Sequence, residues 1–411
     1  IIDVTPDPRT DAVTQVTIVF SEPVSGFDLA DLTLTRNGGP NLVYGGLILT
    51  TSNNISYTLG LLGPITGQGG SYVLTVNAAG SGIIDVAGNA LSGNASDAWF
   101  NSTPITPATF NVTNLNDSGA GSLRQAILNA NANSPAADTI NFQAGLTGTI
   151  MLTSGELTIT DSVTINGPGV SAITVSGNNQ SRVFRISGGN TASISGMVIT
   201  GGNGSGNGNF GGGILSDGIL IATGVTISGN TAGNEGGAIR NNGTATLTNS
   251  RISGNSASFG GGISSLGSMT IVNSTISGNN AIGGAGGAGG GVDVQAGTLT
   301  IMNSTISANT VAFSESNGGG IWFGGTTATL TNTTVTNNAA PGTGASGLYR
   351  QGGTVTVRNS IIAANSNNTT RPDVVANGDT GITSNGFNLI GNRGTIAFAG
   401  TGDQSGTGAS P

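Results

Sequence analysis

The sequence predicts an all-β protein in which a β-sandwich precedes a right-handed parallel β-helix, with a short helix at the start of the β-helix. Three observations carry that prediction. From Gly211 to Asn365 one pattern recurs six times: a Gly pair with an aliphatic, a variable stretch, an alternating apolar strand, and a turn ending in Asn. Within each copy apolar residues alternate with Thr and Ser, as in Thr246-Leu247-Thr248, and no helical stripe interrupts them. Glycine makes up 73 of 411 residues while charged residues are only 7%, so solubility rests on Ser, Thr and Asn.

The repeats come first because they dictate the architecture. Measured from the aliphatic after the Gly pair (Ile214, Ile239, Ile263, Val292, Ile321, Leu348), an Asn follows after 16 or 17 residues. These are Asn230, Asn255, Asn279, Asn309, Asn338 and Asn365. The gap from each Asn to the next aliphatic ranges from 8 to 13 residues. Variation confined to one corner is how a solenoid accepts insertions, and a unit of this length cannot bury its apolar face without stacking on another. The LxxLxL spacing of leucine-rich repeats is missing, and a propeller blade needs roughly 40 residues or more. Three short strands per coil, stacked in parallel, remain.

Asn accepts the left-handed backbone conformation better than other residues with side chains, and stacked amides can hydrogen-bond along a column. A second column, Asn249, Asn273, Asn303, Asn332 and Asn359, lies six residues before the first. Both columns are expected to be structural ladders, and the glycosylation-type sequons at Asn273, Asn303 and Asn332 to be buried. The Gly pairs read as sharp turns or close approaches between coils. They do not read as a phosphate cradle, since no strand-then-helix context follows them.

Residues 1–104 are richer in acid and lack the period. Alternating runs at Val16–Phe20, Leu32–Leu34, Tyr57–Leu59 and Tyr72–Val76, separated by Gly, Asn and Pro turns, predict the sandwich. Residues 105–135 read as a Pro-bearing linker and a capping helix: Ser122 is placed as N-cap, and Leu123, Ala126, Ile127 and Ala130 share one helical face. Such a helix would plug the open end of a solenoid core. The β-helix is expected over 136–392, followed by a Gly-rich tail over 393–411. The chain opens at Ile1 without a leader, so it is expected to be part of a longer precursor.

Several segments resemble known families. FSEPVSGFDLADLTLT (Phe20–Thr35) and DVAGNALSG (Asp85–Gly93) resemble bacterial Ig-like domains of surface proteins. The Ser-Leu-Arg-Gln-Ala run within Phe110–Asn131 resembles the CSLREA-type start of large bacterial β-helix proteins. The GGAI and SGN repeats, with SNGFNLIGN (Ser384–Asn392), resemble pectate-lyase-like β-helix proteins with a choice-of-anchor region and the repeats of polymorphic outer-membrane proteins. The resemblance implies an extracellular or cell-surface setting. In those families more sequence follows the TGDQSGTGASP region, which leaves the cap at that end open.

Composition narrows the chemistry. The chain has no Cys, His or Lys, which removes His/Cys metal sites, Ser-His-Asp and Cys-His nucleophiles and Schiff-base lysines. A net charge of −8 without a basic stripe argues against nucleic acid, and no apolar window is long enough to span a bilayer. Polysaccharide lyases and hydrolases on related β-helices need clustered carboxylates. Between Gly211 and Asn365 the acids are Asp217, Glu235, Asp293 and Glu315. Asp217 and Asp293, three rungs apart, would lie roughly 15 Å from each other along the axis. Arg240 and Arg251 read as solvated side chains, and the early acids Asp138, Glu156 and Asp161 as the least implausible enzyme site. No catalytic residue is therefore assigned. Calcium is weighed at Glu22, Asp28, Asp31 and Asp85, which are hard oxygen donors near turns. Trp322, Phe323, Tyr349 and Arg350 form the best candidate glycan patch. The expected role is a non-enzymatic rod, serving as stalk, adhesin or head-to-tail filament subunit whose partner is another copy or a surface glycan or protein. The alternatives are a carbohydrate-binding module and a polysaccharide lyase or hydrolase.

Overall fold

The structure is a computed structural model that describes residues 1–204, 208–283, 289–313, 317–341, 345–365 and 372–406. Glu315 and residues 407–411 of the expected tail lie outside the described residues. The chain forms two compact units, Ile1–Thr106 and Pro107–Pro411.

In the first unit the alternating runs become antiparallel strands. Ser56–Gly60 lies between Gln15–Val19 and Ile48–Thr51, and Gly70–Val76 lies between Leu32–Arg36 and Ala95–Asn101. Their inward residues, among them Leu34, Leu59, Leu74 and Trp99, share one core. Tyr72 and Trp99 stack there with ring centroids 5.5 Å apart. The strands Ile48–Thr51 and Ala95–Asn101 were not anticipated; the first is mostly exposed and the second carries a sparse apolar pattern.

The second unit is a parallel β-helix of about 10 turns. Each coil contributes one strand to each of three long sheets, as Ile214–Ser216 (third sheet), Ile219–Thr223 (first) and Thr226–Ser228 (second) illustrate. The first and second sheets have 11 strands and the third has 9. Register is strict: Leu220 pairs with Ala245, which pairs with Met269, which pairs with Leu299. Every second residue therefore points into one continuous apolar shaft running from Val112 to Ile396. Full burial of each Ile, Leu or Val stabilises by roughly 1.5–3 kcal/mol relative to exposure.

The helix at Leu123–Ala132 forms as read from the sequence. The Ser122 hydroxyl accepts the Gln125 N–H, and Leu123, Ala126, Ile127 and Ala130 are buried against the first coils. Both ends of the solenoid extend beyond the expected bounds. Thr109–Val112, placed in the linker from sequence, is a strand paired in parallel with Asp138–Phe142. Gln404–Gly406, placed in the tail, pairs with Leu389–Asn392, and Ile396 is buried in the core. Glycine masks both the alternation and the period in that last segment.

The two Asn columns differ in a way their spacing could not reveal. Members of the first are buried, and each amide is locked into a ladder. Asn255 donates both its backbone N–H (3.1 Å) and its Nδ2 (2.9 Å) to Oδ1 of Asn279, and Asn279 repeats this toward Asn309. The left-handed residue is the one before each, for example Gly254 (φ 64°) and Gly278 (φ 63°). Members of the second column, Asn249 to Asn359, are themselves left-handed (φ 47–51° at Asn249, Asn273, Asn303 and Asn359). They are exposed rather than buried, so the sequons face solvent. The residue after each points inward and builds a ladder that sequence reading missed: Ser250 N–H to Ser274 Oγ, Ser274 N–H to Ser304 Oγ, and Thr333 N–H to Ser360 Oγ, each 3.1 Å. Close approach explains the Gly pairs: a Cβ on Gly237 would overlap the Gly261 carbonyl oxygen of the next coil.

Candidate functional site on the third sheet

The variable corner, between the second and third sheets, does more than absorb insertions. Its residues Ser256–Ala257, Asn280–Ala281 and Thr310–Val311 pair as a small parallel sheet. Phe210 bridges to Glu235 and Glu235 to Phe259, one coil after another. Ala281, Val311 and Ala340, with Phe259 packed against them, form a minor core there. Outward residues of the third sheet beside this layer are covered. Ser264 is buried, Arg240 is only 5% exposed, and Asp293 is 1% exposed.

These covered side chains form one polar network. The Arg240 guanidinium pairs with the Glu235 carboxylate, donates to the Ser264 hydroxyl (2.7 Å) and to Asn242 Oδ1 (2.9 Å), and sits 5.4 Å from the Phe210 ring centroid. Ser264 in turn donates to Glu235 (3.3 Å). Asn242 donates to Asp217 (2.7 Å), and Asp217 lies 3.8 Å from the half-exposed Arg185. Asp293 accepts from Gln295 (3.0 Å). Burial pushes the Asp293 carboxyl up to about 6, against hydrogen bonds from Gln295 and Gly289 and the attraction of Arg240. Burial likewise pushes the Arg240 guanidinium below its ordinary value, against the fields of Asp293 and Asp217.

One expectation is corrected here. Arg240 is not a solvated side chain, although Arg251 is exposed as expected. Asp217 and Asp293 lie three rungs apart, as counted from the repeats, but Glu235 pairs with Arg240 between them, from the variable corner, where spacing carries no information. Chemically the cluster resembles an acid pair around a cation, but each member already has a protein partner and Asp293 is closed to solvent. A related pair opens the solenoid: Arg182 binds Glu156 at 2.5 Å and donates to the Phe210 and Gly211 carbonyls. Glu156 and Arg182 line a cleft of about 170 Å³ with Gln180, Ser181 and Asn203. Asp138 and Asp161 are buried elsewhere, Asp138 accepting from the Ala108 N–H (2.7 Å).

The candidate glycan patch is only partly assembled. Trp322 and Tyr349 are register partners on the outer face of the third sheet, both half-buried, and Trp322 Nε1 is itself buried, with no hydrogen-bond partner among the described residues. Phe323 is 0% exposed, because the alternation that turns Trp322 outward turns Phe323 into the shaft. The Arg350 guanidinium donates to the Gly353 carbonyl (2.6 Å) and the Asn377 carbonyl (2.9 Å).

The four acids weighed for calcium do not converge either. Asp28 caps the short helix Leu29–Asp31 by accepting the Ala30 N–H (2.7 Å), and Asp31 accepts the Asp28 N–H (2.9 Å). Glu22 and Asp85 share a cleft of about 170 Å³ with Asn89, which donates to Asp85 through Nδ2 (2.7 Å) and N–H (2.8 Å). Those bonds hold the Asp85 carboxyl below its usual value. No group of three or more acids able to hold a metal occurs among the described residues. No helix among them is long and apolar enough to cross a membrane.

Comparison with known proteins agrees with both units. Residues 3–102 match the family described as bacterial Ig-like domain, and residues 212–401 match the right handed beta helix region. No curated protein matches the chain. The antiparallel strands of the first unit and the three-sheet parallel coils of the second are thus a bacterial Ig-like domain followed by a right-handed β-helix region.

Proposed function

We propose that this chain is a non-enzymatic extracellular structural or adhesive protein, with the β-helix as a rigid stalk, adhesin rod or head-to-tail filament subunit. The observation that carries the reading is where the polar groups go. The inward amides and hydroxyls of the repeats tie coil to coil in two ladders. The charged groups of the third sheet are spent on one another. Rigid repeats whose polar groups tie coil to coil suit a load-bearing spacer, and the two domain families are typical of surface proteins. Parallel stacking also offers each strand edge a chemically equivalent continuation, so a second copy is a suitable partner. Electron microscopy of the purified chain at rising concentration tests assembly: ordered filaments support the subunit reading, and dispersed single particles throughout refute it. Measurable cleavage of acidic polysaccharides with calcium present would overturn the non-enzymatic reading.

A carbohydrate-binding role is the second reading, favoured by the adjacent, half-buried Trp322 and Tyr349 on the outer face of the third sheet. Aromatic faces with a polar handle suit sugar stacking. Trp322→Ala and Tyr349→Ala are expected to abolish glycan-array signals; unchanged signals remove this reading.

A further inference from the structure

We propose that the outer face of the first sheet binds the ordered water lattice of ice. Five consecutive strands of that sheet, Thr244–Thr248, Ser268–Val272, Thr298–Met302, Thr327–Thr331 and Thr354–Arg358, pair in unbroken register. Their outward residues form two adjacent columns of hydroxyl side chains. One is Thr246, Thr270, Thr300, Thr329 and Thr356, each a register partner of the next. The other, two residues upstream, is Thr at 244, 298, 327 and 354 and Ser at 268. All these side chains are exposed or half-exposed.

Parallel strands place such side chains about 4.8 Å apart along the axis and about 6.6 Å apart along the strand. That two-dimensional net approximates the rectangular oxygen net on a prism face of hexagonal ice. Threonine is stiff at χ1, so the array is ordered before contact and loses little rotamer freedom on adsorption. Its hydroxyls can join the lattice while its methyls order the water between them. No single contact is strong; many arrayed on a rigid sheet are.

The surroundings favour this occupant over others. Arg358, at the margin, is the one charged residue on the five strands, and no aromatic ring occurs on them. A charged polymer finds no complementary field, and a sugar finds nothing to stack on. The corners flanking the face are short: Asn242–Gly243 leads onto the first of the five strands, and Asn249–Ser250 leads off it. Insertions collect at the opposite corner, so this face stays open. The second sheet lacks such continuity, since Arg251 and Ile361 interrupt the column that includes Thr275, Thr305 and Thr334.

The test grows polycrystalline ice slowly in a solution of the whole chain and compares protein frozen in with protein left in the liquid. The parent chain is expected to be enriched in the ice relative to a bulk solute. The double variant Thr300→Tyr and Thr329→Tyr is expected to fall to the solute's level, with thermal unfolding at the parental temperature showing that it folds. Ser277→Tyr on the second sheet is expected to keep parental enrichment. Exclusion of the parent chain from ice overturns the proposal, as does undiminished enrichment of the double variant. Retention on crystalline cellulose or chitin without enrichment in ice also overturns it, in favour of a glycan lattice. The structural role of the solenoid stands apart from these outcomes.

Discussion

Truncating one amide in each Asn column separates their roles. The Asn279 side chain makes four hydrogen bonds in a dry interior: it accepts from Asn255 N–H (3.1 Å) and Nδ2 (2.9 Å), and donates to the Ile252 carbonyl (3.1 Å) and Asn309 Oδ1 (2.9 Å). At a net value near 1 kcal/mol each, Asn279→Ala costs about 4 kcal/mol, with the Asn255 N–H left without its acceptor. Asn273 is exposed, accepts one side-chain bond from Asn303 (3.2 Å), and sits at φ 49°. Asn273→Ala therefore costs about 1 kcal/mol, set by the left-handed backbone, and Asn273→Gly costs close to nothing. Because coils open locally, hydrogen exchange is the informative assay. Protection of the Asn255 amide and the adjoining strands should collapse in Asn279→Ala and persist in both Asn273 variants. Equal loss from Asn279→Ala and Asn273→Ala would refute the division into an inner ladder and an outer turn.

Three further outcomes follow from the same geometry. The native Asp293 carboxyl keeps its proton to about pH 6 and an unfolded one to about pH 4, so the folded chain binds more protons in that window and stability falls as pH rises through it. Asp293→Asn should thus match the parent near pH 4 and exceed it by up to about 3 kcal/mol at pH 8, read from denaturant midpoints at both values. Ser122→Ala removes the acceptor of the Gln125 N–H and should cost about 1 kcal/mol, with exchange rising first in Leu123–Ala132. Gly237→Ala, whose Cβ would strike the Gly261 carbonyl, should lower the melting temperature far more than Gly224→Ala, where the space is open and only the left-handed backbone (φ 59°) resists a side chain.

Period made the fold legible. The alternating strands, the coil boundaries and the capping face of Leu123, Ala126, Ile127 and Ala130 all follow from spacing, and all stand in the structure. Direction was harder to read. Two Asn columns six residues apart look alike in sequence, yet only one points inward. Two signals could have told them apart: Gly before Asn230, Asn255 and Asn279 marks the left-handed position, and Ser or Thr after each outer Asn recurs as faithfully as the Asn itself. The same one-residue question decided Phe323, which alternation alone could have sent inward once Trp322 was turned outward. The charged network was not legible, since Glu235 reaches Arg240 from the corner whose length varies, where spacing carries no information.

The ladders also explain two aspartates that the repeat pattern leaves unaccounted for. Each inner Asn presents Oδ1 to two donors from the coil before it and sends Nδ2 to the coil after it, so the column has a direction. Its last member meets Asp373, whose Oδ1 accepts both the Asn365 N–H (2.7 Å) and Nδ2 (3.0 Å) while Oδ2 accepts the Asn392 N–H (2.7 Å). An amide there would aim an NH₂ group at that last N–H; only a carboxylate accepts from both sides. The hydroxyl ladder finishes alike, passing from Ser360 to Asn388 and then to Asp403, whose Oδ2 accepts the Gly400 N–H (2.7 Å). Burial pushes the Asp373 carboxyl above its ordinary value, a cost borne where the direction of hydrogen bonding must reverse. In a chain so poor in charge, two acids thus stand where an amide would present the wrong polarity, Asp373 and Asp403, each at the end of a ladder.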